Sequence, residues 1–504
     1  MFDSFLKDMA WRGLIHQSTH EAELARHLST GPRRAYVGFD PTANSLTIGN
    51  LMGIMTLRRF QEAGHQPVVV MGGGTGLIGD PSGKSAERQL MTRETVEANV
   101  QSQRRIFEAL IDFGAGRANR GTLVNNIDWL GRLSYLDALR DIGKFFSVNA
   151  MIQRDSVRDR LHNRDQGISY TEFSYMILQS YDYYHLWKDQ GVTLQMGGSD
   201  QWGNIVSGAD LIRRFGGEMH GAAMVRLLEA EATEQAGDRS AAKRQRDEAW
   251  NRFVEYETFN LSKREAEETL QSLQVARDSG SWFRGFPPSQ RDGWTAFALT
   301  WPLVTKADGT KFGKTESGAI WLTADRTSPY EYFQFWLNAA DGDVIRFLKF
   351  FTLLPHDRIA DLESSMQKDP AAREAQRALA REATTLLHGK TEADNAEAAA
   401  KALFSGEIAG LPEATLRQVL GNVPSSRLAK SRLDGAGVPL LDLLIETHLA
   451  SSKREAREFL ASGSVAVNGR KAATDESIKA SDLLHGRLLA IRRGKKHWHL
   501  TEWE

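Results

Sequence analysis

Cysteine is absent from the 504 residues, which excludes disulfides and thiolate-bound zinc and leaves nothing that points to secretion. Long apolar runs are also missing. No stretch reaches the roughly eighteen apolar residues of a membrane span, and Met1 to Leu14 carries charge where a secretory leader would be apolar. The expected location is therefore the cytoplasm. An excess of charge is lacking too: 63 Lys and Arg stand against 64 Asp and Glu, a net charge of −1. Any nucleic-acid surface must then be a local basic patch rather than a global field. No cluster of metal-ligating residues is visible, so no protein-bound metal or organic cofactor is expected. What is present is ordinary for a globular protein with a sizeable core, 41 % hydrophobic and 25 % charged. The length suggests about three domains.

The stretch from Tyr36 to Asn50 organises the rest. Ala35 to Phe39 reads as a buried strand, followed by a Pro/Asn/Ser-rich turn. An amphipathic helix then runs from about Gly49 to Ala63, with Leu51, Ile54, Met55 and Leu57 apolar at helical spacing. Gly64 stops it, and Pro67 to Met71 is an apolar, β-branched strand. In this βαβ unit the first turn opens at a helix N-terminus, where unpaired N–H groups and the dipole favour phosphate. The next loop, Gly72 to Lys84, is not a Walker A loop, because Ile78 stands where its first glycine must be. It reads instead as backbone brought close to a ligand, with Asp80 the charged group inside it.

Farther along, Thr92 to Phe113 reads as helix and Thr122 to Asn126 as strand. On the helix from Thr171 to Trp187, Tyr175, Gln179 and Asp182 project from one face. Such a stripe is usually solvated, but this helix is apolar almost all round, so the polar groups need partners that a ligand can supply. Val192 to Met196 is a strand, Gly197 and Gly198 allow close approach of a ligand, and Asp200 opens the next helix. Residues 217–293 read as an inserted set of charged surface helices, including a capping box at Ser262 to Glu265. Thr300 to Thr305 is expected as a strand feeding a Lys/Gly loop that holds Lys311 and Lys314, a phosphate clamp by its position at a strand end. From Ser328 to about Leu420 the chain reads as helical, with early aromatics as core. Residues 424–437 resemble a linker. The remainder combines a capping box at Ser452 to Glu455, a basic helix (Lys453, Arg454, Arg457) and a hairpin turning at Asn468-Gly469 beside Arg470 and Lys471. Expected overall is an α/β protein with a Rossmann-like parallel-sheet catalytic domain over 1–325. A helical domain over 326–423 and a small α+β domain over 438–504 follow it.

Gly38-Phe39-Asp40-Pro41-Thr42 with Thr47-Ile48-Gly49-Asn50 resembles the first signature of class I aminoacyl-tRNA synthetases, usually His-Ile-Gly-His. Lys311-Phe312-Gly313-Lys314-Thr315 resembles their second, Lys-Met-Ser-Lys-Ser. With Gly198-Ser199-Asp200-Gln201-Trp202-Gly203-Asn204 between them, the chain is identified as similar to bacterial tyrosyl-tRNA synthetases over nearly its whole length, apart from 217–293. The resemblance implies tyrosine activation with ATP and Mg²⁺, transfer to tRNA(Tyr), an S4-like RNA-binding domain at 438–504, and a homodimer formed around Gly143 to Asn149.

It further implies that Tyr36, Asp80, Tyr175, Gln179, Asp182 and Gln195 bind tyrosine, with Tyr36 and Asp182 on its phenol. Gly38, Asp40, Gly49, Gly198, Asp200, Gln201, Val304 and Lys314 are implied for ATP, and Thr42, Thr47, Asn50, Lys311 and Lys314 for catalysis. Lys84 and Arg88 match a basic segment near the triphosphate. Lys453, Arg454, Arg457, Arg470 and Lys471 are implied for tRNA. Both histidines of the first signature are replaced here. Phosphoryl chemistry at a carboxylate needs no general acid, so donors suffice. Asn50 offers an amide N–H and Thr47 a hydroxyl, the poorer substitute. The lost histidines also fit a synthetase relic that only binds RNA, whereas the tyrosine-contacting set and the two lysines fit an active enzyme.

Overall fold

The computed structural model describes residues 4–504 apart from 82–89, 155–156, 159–160, 162–166, 259–269, 271–273, 275–295, 308, 310–311, 316–317, 406–407, 422 and 495–496. It divides into two compact units, Met1–Ala319 and Ile320–Glu504.

Six strands form the sheet of the first unit: β1 (Gln17–Ser18), β2 (Arg34–Phe39), β3 (Gln66–Met71), β4 (Thr122–Asn125), β5 (Val192–Gly198) and β6 (Phe297–Trp301), in the order β1-β6-β5-β2-β3-β4. All neighbours pair in parallel except β1 with β6. The chain therefore winds one way from β2 to β4 and the other way through β5 and β6. The order reverses between β2 and β5, and in such sheets the crevice at the carboxyl ends of the strands flanking that reversal takes the ligand. The pairing of β2 with β5 stops at Tyr36 opposite Gln195, short of both strand ends, so the two strands part where the crevice begins.

The helix Leu51–Glu62 packs on β2 through Gly53, where a Cβ would lie 3.2 Å from both Phe39 Cζ and Val37 Cγ1. Its sequence is amphipathic, yet Arg59 and Gln61 are as buried as its leucines. The helix Ser4–Arg12 covers Arg59, setting Phe5 against Phe60 and Asp8 against Arg59 and Arg12, whereas Gln61 Nε2 donates to Asp112 O at 2.7 Å and Asn119 O at 3.2 Å. Burial first and the neighbouring Arg12 second lower the Arg59 pKa to about 9, against the pull of Asp8. The expected strand from Thr300 to Thr305 ends at Trp301, because Pro302 has no N–H to continue a ladder. The helix that starts at Trp202 runs unbroken to Gln235, past the residue 217 where an insertion was expected to begin. The capping box expected at Ser262 to Glu265, and Lys84, Arg88 and Lys311, lie outside the described residues. A short hairpin, β7 (Lys314–Thr315) with β8 (Gly318–Ala319), closes the unit.

In the second unit Ser328 forms a capping box with Glu331 on the helix Pro329–Leu337. Of the early aromatics, Tyr330, Tyr332, Phe333 and Trp336 are buried core, as expected, and Phe335 is half-buried; Phe347 and Phe351 join that core. Beyond them lies a five-stranded sheet of β12 (Arg470–Lys471), β11 (Val465–Val467), β14 (Leu488–Arg493), β15 (His497–Trp503) and β9 (Ser425–Leu428), in that order. Strands β10 (Val438–Pro439) and β13 (Ser477–Ile478) pair separately. Asn468 and Gly469 both have positive φ, 50° and 86°, as the two-residue hairpin turn requires. The segment expected as a linker is corrected here: its residues 425–428 are the strand β9, parallel to β15. Arg417 pairs with Glu502, Arg487 with Glu413, and His485 Nε2 lies 2.9 Å from Leu411 O, which ties this sheet to the last helix before it. Among the described residues no helix is long and apolar enough to cross a membrane.

Candidate active site

Tyr36 and Gln195 are the last register partners of β2 and β5, so their side chains leave the sheet together at the mouth of the crevice. Both are buried, at 2 % and 3 % exposure, yet Tyr36 OH and Gln195 Oε1 have no hydrogen-bond partner among the described residues. Two orphaned polar atoms side by side are costly unless a ligand satisfies them. Gly208 leaves room above Gln195, since a Cβ there would come within 3.5 Å of Oε1 and 3.0 Å of the Tyr183 ring. Burial first, then the Asp182 charge, raises the Tyr36 pKa well above its ordinary value, so this phenol stays a donor.

Asp182 comes from the helix Tyr170–Gln190. Its two oxygens accept from Asn126 Nδ2 at 2.9 Å and Trp129 Nε1 at 2.7 Å. Burial pushes its pKa up to about 7, opposed by those two hydrogen bonds and helped by Asp40. Asn126 continues the chain of contacts: its Nδ2 also donates to Thr75 Oγ1 (3.0 Å) and its Oδ1 accepts from Gly74 N (2.7 Å). Thr75 donates onward to Asp40 Oδ1 at 2.7 Å, and Tyr175 OH donates to Asp40 Oδ2 at 2.9 Å. One network thus joins Asp182 to Asp40 at the carboxyl end of β2. Gly72 makes this possible, because a Cβ there would lie 2.1 Å from Asp40 Oδ1. Thr75, Asn126 and Trp129 were not singled out from sequence. Their one legible mark is that each follows the carboxyl end of a parallel strand, β3 or β4.

A second group lies on the same side of the sheet. Gln201 Nε2 donates to Asp80 Oδ2 at 2.8 Å, and Asn204 Nδ2 donates to Gln179 Oε1 at 3.0 Å. Asp200 sits one turn from Gly198, whose Cβ would be 2.5 Å from Asp200 Oδ1. Gly38 faces open space at the end of β2, with nothing within 4 Å of a Cβ. Thr42 is exposed in the turn that follows, and Val304 is half-buried beyond β6. Thr47 and Asn50 bond to each other, Thr47 Oγ1 to Asn50 Oδ1 at 3.0 Å. Gly313 has φ +81°, and a Cβ on it would meet Ile48 Cγ2 at 2.5 Å and Gly49 N at 3.9 Å. Gly313 of the second signature therefore rests on the first, and carries the backbone of Lys314 there. In the second unit, Lys453, Arg454, Arg457, Arg470 and Lys471 are all exposed. Arg454 pairs with Glu458, Lys453 with Asp442 at 3.5 Å, and Arg470 with Glu476.

Residues 28–235 and 291–405 match the family described as tRNA synthetases class I (W and Y), and 415–501 match the tyrosine–tRNA ligase SYY-like C-terminal domain. The first match stops at 235 and resumes at 291, so it takes in only the two ends of the expected insertion and leaves 236–290 unmatched. The tyrosine–tRNA ligase of Aliivibrio fischeri is 42 % identical over 504 residues, covering 100 % of this chain and 99 % of that protein. That of Dechloromonas aromatica is 43 % identical over 501 residues, covering 99 % of each. Among solved structures, a C-terminally truncated mitochondrial tyrosyl-tRNA synthetase of Aspergillus nidulans superposes with a TM-score of 0.59 at 27 % identity, over 79 % of this chain and 94 % of that one. The arrangement of signatures around a reversed parallel sheet and these full-length relatives agree: the chain belongs to the bacterial tyrosyl-tRNA synthetase family, within the class I aminoacyl-tRNA synthetases.

Proposed function

We propose that this chain activates L-tyrosine with MgATP to tyrosyl-adenylate and passes the tyrosyl group to tRNA(Tyr). The observation that carries the reading is the buried pair of Tyr36, a donor, and Asp182, an acceptor, beside the orphaned Gln195 oxygen. A phenol both donates and accepts, and it satisfies such a pair where a phenyl ring leaves it unpaired. The tyrosine carboxylate attacks the α-phosphate, and pyrophosphate leaves. No nucleophile or strong base of the protein is required, so positioning and preorganised donors carry the catalysis. Asp80, Tyr175 and Gln179 line the side assigned to the tyrosine amino group, and Gly38, Gly49, Gly198, Asp200 and Gln201 the side assigned to ATP. The magnesium ion enters with the triphosphate, as part of the substrate. Tyrosine-dependent ATP–pyrophosphate exchange tests the reading; a chain that binds tyrosine and ATP without exchange is an RNA-binding relic.

Lys311 and Lys314 are assigned to the leaving pyrophosphate, on a loop whose Gly313 already rests on Ile48. Alanine at either position is expected to slow adenylate formation by about 10²–10³-fold, as for other preorganised donors, with tyrosine affinity little changed. Loss of tyrosine binding in both variants would refute the clamp.

The proposed assembly is a homodimer. Tyr135, Leu136, Val148 and Tyr170 are 65, 75, 57 and 61 % exposed, so the region around Gly143 to Asn149 presents apolar surface rather than core. Light scattering is expected to give twice the chain mass, and Leu136→Asp to give monomer. A wild-type monomer at micromolar concentration would remove the assignment.

A further inference from the structure

We propose that Thr47 is a positioning residue for Asn50, and not itself a donor to the reacting phosphate; the inference rests on the ligase reading above. Two donors of Thr47 converge on one oxygen. The hydroxyl reaches Asn50 Oδ1 at 3.0 Å and the backbone N–H reaches the same atom at 3.1 Å. The turn between them is closed by Asn50 N donating to Thr47 O at 2.9 Å. The Thr47 proton that the chemistry would need is therefore already committed to Asn50.

The consequence falls on the amide. Asn50 is exposed at the head of the helix Leu51–Glu62 and makes no side-chain capping bond to it. An exposed asparagine samples several rotamers, and a flip of its amide exchanges a donor for an acceptor. An oxygen turned toward phosphate repels it, whereas an N–H₂ attracts it. With Oδ1 held by both Thr47 donors, Nδ2 is the atom left to act at the helix N-terminus, where a donor adds to the dipole. The turn has little freedom of its own. Ile48, between the two residues, is fully buried and is touched by Gly313 of the second signature. A Cβ on Gly49 would come within 3.6 Å of Thr47 Oγ1. The two residues that stand where the family usually has histidines thus work as one unit: a single donor with a lock.

Single-turnover tyrosyl-adenylate formation at saturating tyrosine and MgATP separates one unit from two independent donors. Asn50→Ala is expected to be slower by about 10²–10³-fold. Thr47→Val, which keeps the shape and removes the hydroxyl, is expected to be slower by about tenfold, the worth of one hydrogen bond that selects a rotamer. The double variant should be no slower than Asn50→Ala, and Thr47→Ser should recover most of the rate lost in Thr47→Val. Tyrosine affinity and Tm should stay at wild-type values throughout. Losses that multiply in the double variant would make Thr47 a donor in its own right and overturn the inference. So would a Thr47→Val enzyme at full rate, or one whose loss tracks a fall in Tm. A wild-type chain lacking tyrosine-dependent exchange would overturn the ligase reading and this inference with it.

Discussion

Alanine at Asp182 is expected to lower tyrosine activation by about three to five orders of magnitude, and to erase the preference for tyrosine over phenylalanine. The size of that preference, about 10⁵, is already established for this enzyme family; what the structure adds is how this chain builds it. Asp182, the proposed acceptor for the phenol, is also the anchor for Asn126 Nδ2 and Trp129 Nε1. Removing it leaves Trp129 Nε1 unpaired and Asn126 Nδ2 with Thr75 Oγ1 as its remaining acceptor, at about 1–3 kcal/mol for each buried bond lost, so the loss includes a weakened pocket floor. Tyr36→Phe behaves differently. Its hydroxyl has no partner among the described residues, so the variant should be no less stable than wild type while discriminating more weakly. Acid should act in the same direction as Asp182→Ala. With a pKa raised to about 7 by burial, the carboxylate is protonated as pH falls below that value, and the proton competes with the phenol. Tyrosine affinity should therefore fall several-fold between about pH 7 and pH 6. For folding the sign is opposite. The folded pKa lies above the ordinary aspartate value of 3.8, so this group's contribution declines as pH rises from about 4 to 7, by roughly 4 kcal/mol at 1.36 kcal/mol per unit. Tyrosine and phenylalanine affinities of the wild type, Tyr36→Phe and Asp182→Ala, measured across that range, check the assignment. An unchanged ratio in both variants removes it.

The parts of this site that sequence made legible are those carried by local pattern. The strand, turn and helix around Asp40 follow from an apolar run, a Pro/Asn/Ser turn and helical spacing. The face holding Tyr175, Gln179 and Asp182 follows from the helical repeat. The parts that sequence hid are tertiary. Nothing local marks Asn126 or Trp129 as holders of Asp182, because the contact spans 56 and 53 residues. Arg59 looks solvated until Asp8 of the N-terminal helix meets it, and Gln61 until Asp112 and Asn119 do. Ser425 to Leu428 is polar, and its strand character comes from pairing with β15 at the far end of the chain. Thr300 to Thr305 misleads in the other direction: its β-branched residues favour a strand, and one proline ends it.

That hidden strand decides where the chain can be cut. A deletion of 438–504, the boundary suggested by composition, would strip β15 from β9 and leave a bare edge that invites aggregation. Ending the chain after Val423 removes β9 with its sheet. The costs are the partners of Arg417 and Glu413, part-exposed ion pairs of little worth to stability, and the His485 contact to Leu411 O. Every residue assigned to tyrosine or ATP lies before residue 320, in the other compact unit. Adenylate formation should therefore continue near the wild-type rate, while tRNA charging falls by about a thousandfold or more as the basic contacts are lost. Those contacts are unequal. Arg454 and Arg470 are neutralised in part by Glu458 and Glu476, so alanine at Arg457 or Lys471 should each lower the salt dependence of tRNA binding by about one phosphate contact. Alanine at Arg454 or Arg470 should lower it by less. Charging that survives the truncation at moderate salt would mean that the helical region alone grips the tRNA, and that the exposed basic residues of this sheet serve some other partner.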